Sequence, residues 1–279
     1  MEITCWGSRG SIPVSGKNFV KYGGDTTCIE VRTQSDDIII LDAGTGIRRL
    51  GNQMIEDGRL AYHFIFTHAH WDHVMGFPFF KPIFNENARF FMHKCPFQSK
   101  FVETVLAKVM SAPFFPVKYA ELRAEMVHEN ACPAVFEIGS VTITPIPISH
   151  PNSGAGYKIV EDDKTFVFIT DNELGYTHKG GLPIESYIEF SQGADLLIHD
   201  AEYTPEEYAH TRTWGHSTYP ETLELGLKAG VKKLGLFHLN QDRTDQQMDD
   251  IVADCQQRIS DAKSPMDCFA VGCHTSIEL

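Results

Sequence analysis

The sequence predicts an α/β fold with two layers of sheet and helices outside them. Apolar runs of strand length recur along all 279 residues; the early ones fall into hairpin-like pairs, and later ones alternate with helical periods. No linker, low-complexity stretch or tandem repeat divides the chain, so residues 1–279 read as a single domain. Hydrophobic residues make up 42% and charged residues 22%, an ordinary globular balance that can bury a substantial core.

The opening segment Met1-Glu2-Ile3-Thr4-Cys5-Trp6 alternates as a strand does. Gly7-Ser8-Arg9-Gly10-Ser11 then turns sharply, which is either a plain tight turn or a way to bring backbone N–H groups or Arg9 to an anion. Thr27–Val31 and Ile38–Leu41 pair across the polar turn 33–37, and Asp42-Ala43-Gly44-Thr45-Gly46 ends the second strand. Ile47, Leu50, Met54 and Ile55 have a helical period. The strand Tyr62–Phe66 follows, and it feeds Thr67-His68-Ala69-His70-Trp71-Asp72-His73.

Beyond this run the sequence is rich in phenylalanine. Phe77, Phe79, Phe80, Phe114 and Phe115 flank a strand at Arg89–His93 and a helix from Phe101 to Met110. These rings are candidates for a cleft rim that stacks on a base, with core packing as the alternative, and residues 108–119 form the candidate flap. Ala134–Ile138 and Val141–Ile146 are strands joined at Gly139-Ser140, and His150 stands where the second stops. The hairpin Tyr157–Val160 with Phe166–Ile169 ends in Thr170-Asp171-Asn172.

A helix is expected over Leu182–Gln192, and the buried strand 194–200 carries Asp200 and Glu202 at its end. The stretch from Glu202 to Arg212 reads as a solvated helix or loop. Thr218 and Glu221 have capping-box spacing, Pro220 suits a first turn, and Gly230 closes the helix they begin. Lys233–Phe237 then delivers His238; Thr244 and Gln247 cap a last helix over 245–259, and Cys268–Val271 is a short closing strand.

The net charge of -13 disfavours a long polyanion as partner, whereas a small anion held by metal remains compatible, since an ion reverses the sign of its own site. Seven scattered cysteines read as reduced core thiols of a cytoplasmic protein. There is no charged leader followed by an apolar stretch, and no run of eighteen apolar residues, so neither secretion nor a membrane span is expected.

His68, His70, Asp72, His73, His150, Asp171 and His238 all lie at or just after strand ends. Parallel-running strands gather such ends along one sheet edge, which is enough for two adjacent ions. His68, His70 and His150 would hold the first, Asp72, His73 and His238 the second, and Asp171 would bridge them, because a carboxylate has two oxygens. Asp42, at a strand end, is a candidate to orient a histidine or to cap a turn. Two divalent ions about 3.5–4 Å apart generate a hydroxide at neutral pH and stabilise charge on a phosphoryl centre. Imidazole-rich ligands suit zinc; mixed carboxylate–imidazole sites also accept manganese, iron or cobalt.

The order His68-x-His70-x-Asp72-His73, then His150, Asp171 and His238, resembles the metallo-beta-lactamase superfamily. With His216-Ser217-Thr218 ahead of His238, it is similar to the phosphodiesterase branch that includes ribonuclease Z and cyclic-nucleotide phosphodiesterases. The resemblance implies a four-layer αββα sandwich, metals at the sheet edge and a homodimer. It also implies that His216 neutralises phosphoryl oxygens or protonates the leaving group, a job a departing ribose alkoxide requires. Asp72 would orient the attacking hydroxide besides binding metal, and Asp200 or Glu202 would keep His216 protonated, with strand-end capping as the alternative for both.

Ribonuclease Z enzymes carry an arm for tRNA between the positions of His150 and Asp171, and here only a short hairpin fits. The main expectation is therefore a small phosphodiester substrate, above all a 3′,5′-cyclic nucleotide. An RNA-processing endonuclease is the alternative, and a metal-binding signalling scaffold without turnover is the non-enzymatic one.

Overall fold

The computed structural model describes residues 1–93, 102–129 and 133–279. Cys95, Cys132 and Phe101, the start of the helix expected there, lie outside the described residues. The strands and helices come in the order β1 (Glu2–Gly7), β2 (Cys28–Arg32), β3 (Ile38–Leu41), α1 (Ile47–Glu56), β4 (Ala61–Ile65), α2 (Trp71–Val74), β5 (Arg89–His93), α3 (Val102–Val109) and β6 (Glu125–His128). Next are β7 (Phe136–Ile138), β8 (Val141–Pro147), β9 (Ala155–Glu161), β10 (Lys164–Ile169), α4 (Ile184–Phe190), β11 (Leu196–Asp200), α5 (Pro205–Thr211), α6 (Tyr219–Ala229), β12 (Lys233–Phe237), α7 (Asp245–Asp261), β13 (Asp267–Ala270) and β14 (Ser276–Glu278).

Among the described residues these strands form two seven-stranded sheets, ordered β14-β1-β2-β3-β4-β5-β6 and β13-β12-β11-β10-β9-β8-β7. Each sheet is antiparallel at one end and parallel at the other. Strand alternation decides which side chains meet between them. Ile39, Leu41, Ile159, Phe166, Phe168 and Ile198 fill the layer between the sheets.

The opposite faces are covered by helices. Ile38, Ile40 and Phe64 pack outward with Leu50 and Met54 of α1, while Val167, Leu197 and Leu234 pack outward with Leu223, Leu225 and Ile251 of α6 and α7. The result is the αββα sandwich expected from the resemblance. Burying a side chain such as Leu50 or Phe64 stabilises the fold by about 1.5–3 kcal/mol.

Local signals set the helix ends. Thr218 Oγ1 accepts from the Glu221 N–H and Thr244 Oγ1 from the Gln247 N–H, and Gly230 ends α6 in the left-handed conformation with φ 63°. The solvated segment after Glu202 contains α5, capped in the same way by Thr204 and Glu207. No helix among the described residues is long and apolar enough to cross a membrane.

The topology explains why the polar residues converge. β3, β4, β10, β11 and β12 belong to the parallel halves, and β8 runs the same way as β10 because both are antiparallel to β9. Their carboxyl ends therefore open along one edge, with Asp200 at the end of β11 and Asp42, the His68–His73 run, His150, Asp171 and His238 just beyond the others.

Candidate metal centre

Asp171 lies at the middle of the cluster and is almost fully buried. Its Oδ2 is 3.4 Å from His68 Nε2 and 3.4 Å from His238 Nε2, and its Oδ1 is 3.2 Å from His73 Nε2. Three groups share it: His68, His70 and His150; Asp72, His73 and His238; and Asp200, His216 and His238, the ligand atoms of each group lying within 4.8 Å of one another. Thus all seven sequence candidates, and His216 beside them, meet in one place.

Hydrogen bonds behind the histidines fix which nitrogen faces inward. His73 Nδ1 donates to Asp42 Oδ2 at 2.8 Å, His150 Nδ1 to the Gly215 carbonyl at 2.9 Å and His238 Nδ1 to Glu202 Oε2 at 2.9 Å. His68 Nδ1 faces Thr67 Oγ1 at 3.1 Å, and that hydroxyl in turn donates to Asp42. Each ring then presents Nε2 to the cluster, whereas His70 presents Nδ1, 3.0 Å from His150 Nε2.

The fit to metal is direct. His68 Nε2 and His73 Nε2 are buried with no well-formed hydrogen bond, only the Asp171 oxygens at 3.4 and 3.2 Å, an arrangement that a cation held between them would satisfy. The donor set, imidazole nitrogens and carboxylate oxygens around a shared carboxylate, suits divalent ions held as a pair.

Burial lowers the pKa of His68, and that of His150 to about 3, so both rings are neutral lone-pair donors. For His216 burial acts downward too, but Glu202 and Asp200 outweigh it and raise the imidazolium to about 9. His216 Nδ1 donates to Asp200 Oδ2 at 2.6 Å, and its ring stacks on His238 at 4.6 Å. Glu202, 3.4 Å from His216, makes its shorter contact with His238, so the two acidic residues divide their partners.

Backbone close to the cluster leaves no room for side chains. A Cβ on Gly10 would lie 2.3 Å from His238 Nδ1, and one on Gly215, at φ 98°, would lie 2.0 Å from His150 Nδ1. The turn Gly7–Ser11 serves the site through its backbone, since Ser11 N–H donates to Asp72 Oδ2 at 2.9 Å. Arg9 is buried and spends its guanidinium on the carbonyls of Gly23, Asn240 and Arg243.

The phenylalanine rim needs correction. Phe77 and Phe80 are fully buried against Phe64, because a 3₁₀ turn puts residues three apart on one face, and that face meets α1 and β4. Phe79 and Phe114 are exposed, and Phe115 is half-buried with its ring edge-on to Phe79.

Sequence reasoning missed Glu173. Its buried carboxylate accepts from Tyr208 Oη at 2.6 Å, the Thr213 N–H at 2.7 Å, His178 Nε2 at 2.7 Å and the Gly215 N–H at 2.8 Å. It thereby holds the loop whose Gly215 carbonyl anchors His150 and whose next residue is His216. The available signal was an acidic residue two places after Asp171 in an otherwise uncharged strand end.

Comparison with known proteins bears on the family and the fold. The family profile for the beta-lactamase superfamily domain matches residues 38–239. A ribonuclease Z of Haloarcula marismortui is 26% identical over 86% of this chain and 86% of its own. The metallo-beta-lactamase fold protein YhfI from Bacillus subtilis superposes with a TM-score of 0.69 at 16% identity, over 100% of this chain and 99% of that one. The short form of human tRNase Z superposes with a TM-score of 0.65 at 16% identity, over 100% and 99% of the two chains. A family profile that spans most of the chain, a relative matched over 86% of both chains and a shared sandwich lead to one conclusion: the chain belongs to the metallo-beta-lactamase superfamily.

Proposed function

We propose that the chain is a metal-dependent phosphodiesterase with RNA as its substrate class, and that residues 1–279 act as one catalytic domain. The observation that carries the chemistry is the single carboxylate, Asp171, shared by two groups of histidines whose inward nitrogens include two with no well-formed hydrogen bond. The ribonuclease Z relatives support RNA over the small diester favoured by composition. The contribution of both sheets to one cluster supports a single unit.

His68, His70, His150 and Asp171 would hold one divalent ion, and Asp72, His73, His238 and Asp171 the other, with zinc the ion that imidazole-rich ligands suit best. When bound, such a pair supplies a nucleophile at neutral pH and stabilises phosphoryl oxygens. The protein's own groups do the rest. Asp42, Glu202 and the Gly215 carbonyl fix the histidine rings, so little reorganisation accompanies the reaction. Asp72 accepts the Ser11 N–H, so its orientation is set by the backbone. His216, anchored at Nδ1 by Asp200, keeps a proton on Nε2 at neutral pH and offers it to the leaving ribose oxygen or to a phosphoryl oxygen.

A second reading, a small cyclic phosphodiester, is favoured by one specific observation. β9 and β10 are joined by only Asp162 and Asp163, so no arm for a large RNA stands between His150 and Asp171. A turnover screen with metal-replete protein separates the readings. Cleavage of a precursor tRNA, with little turnover of 3′,5′- or 2′,3′-cyclic mononucleotides and cyclic dinucleotides, is expected; the reverse preference would replace RNA by the small diester. Metal binding with no turnover of any diester would leave a scaffold.

A further inference from the structure

The run from His68 to His73 turns some side chains into the cluster and leaves others outside it. His68, Asp72 and His73 point into the cluster, whereas Ala69 is half-buried and Trp71 is 57% exposed. Ala69 and Trp71 open onto a cavity of about 210 Å³, whose far wall is Val105, Lys108 and Val109 of α3, with Phe114 at its mouth. Ala69 and Trp71 alternate in sequence with His68, His70 and Asp72, so the cavity adjoins the short run that supplies the cluster.

Its lining has a particular chemistry. Two large aromatic side chains stand open to solvent there, Trp71 and Phe114, the latter 73% exposed. The exposed Lys108 has no ion-pair partner among the described residues, although the chain carries a net charge of -13. Apolar walls, open aromatic faces and one free cation beside a phosphoryl-processing cluster match a flat heterocycle attached to a phosphate. An aliphatic ligand would use the walls but neither the ring faces nor the charge.

We propose that this cavity receives the nucleobase adjacent to the scissile phosphodiester, stacked on Trp71 and Phe114, with Lys108 on a neighbouring phosphate. This rests on the phosphodiesterase reading and adds to it the group that selects nucleotides over other diesters. Stacking is tolerant of base identity because every base has a π-face, so the subsite favours nucleotides as a class and not one sequence.

The test is equilibrium binding, measured by calorimetry on metal-loaded protein, of adenosine 5′-monophosphate and of ribose 5-phosphate, which differ by the base alone. The nucleotide should bind about fivefold or more tightly, and Phe114→Ala should remove most of that advantage. Trp71→Ala should do the same, with metal content measured because the residue adjoins ligands; Lys108→Ala should weaken both compounds together. Equal affinity for the two compounds, no detectable binding of either, or an advantage that survives in both aromatic variants would overturn the subsite. Loss of the phosphodiesterase reading is a separate outcome: it would appear as nucleotide binding with no hydrolysis of any diester.

Discussion

Glu173→Gln is the perturbation that tests how the protein holds its centre. Oε1 of the buried carboxylate serves Tyr208 and the Thr213 N–H, and Oε2 serves His178 and the Gly215 N–H, at 2.6–2.8 Å in every case. Glutamine keeps the shape but turns one oxygen into an NH₂ group. The tyrosine hydroxyl and the histidine can reverse their roles; a backbone N–H cannot, so whichever way the amide faces, Thr213 or Gly215 meets a donor. An opposed buried N–H costs about 1–3 kcal/mol, and for a chain of this size each kcal/mol lowers Tm by about 2–4 °C.

The functional consequence follows through Gly215, whose carbonyl anchors His150. Loss of such a supporting contact typically weakens metal binding about 10–100-fold. Competition against a chelator of known affinity reads this directly, with thermal unfolding alongside. Glu173→Asp, which keeps the charge, should recover part of the metal affinity. A glutamine variant that unfolds earlier yet binds metal and turns over as the wild type does would show that Glu173 supports only the scaffold.

Other substitutions separate roles within the cluster. His216→Ala should leave two metals bound per chain but slow turnover about tenfold or more; unchanged turnover would remove its proton-donating role. Asp171→Ala should lose the paired site, seen as fewer than two metals per chain by elemental analysis, and full occupancy would sink the bridge. Away from the site, burial pushes the Asp195 carboxyl up, but Lys232 and the Thr165 N–H outweigh it and hold its pKa below the usual range. Its stabilisation is thus fully present above about pH 4 and lost as pH falls through the lower folded pKa. Asp195→Asn should unfold about 1 kcal/mol more easily at pH 7, with the gap closing towards pH 3 in denaturant titrations; a gap independent of pH would contradict the assignment.

Much of this site was legible because its residues follow the strands that carry them. The apolar runs Tyr62–Phe66, Val141–Ile146, Phe166–Ile169 and Lys233–Phe237 are each followed within a few residues by one able to bind metal, and parallel-running strands leave such residues on one edge whatever the loops do. His68, His150, Asp171 and His238 could be found for that reason, and Asp42 with them. Capping boxes at Thr218 and Thr244 were readable since they are local. What depends on tertiary packing was not. Phe77 and Phe80 look like Phe79 in sequence, and only the 3₁₀ turn against Phe64 sends them inward. Glu173 gains its meaning from a loop forty residues later. The edge strands β6 and β14 are only four and three residues long, and they exist because a neighbouring strand offers them a ladder.

The most direct test of the account is hydrolysis of bis-p-nitrophenyl phosphate as metal is added back to stripped protein. If Asp171 joins two ions that act together, turnover should rise to a plateau at two divalent ions per chain and vanish with a chelator. Full turnover at one ion, or none at two, would contradict the two-metal centre.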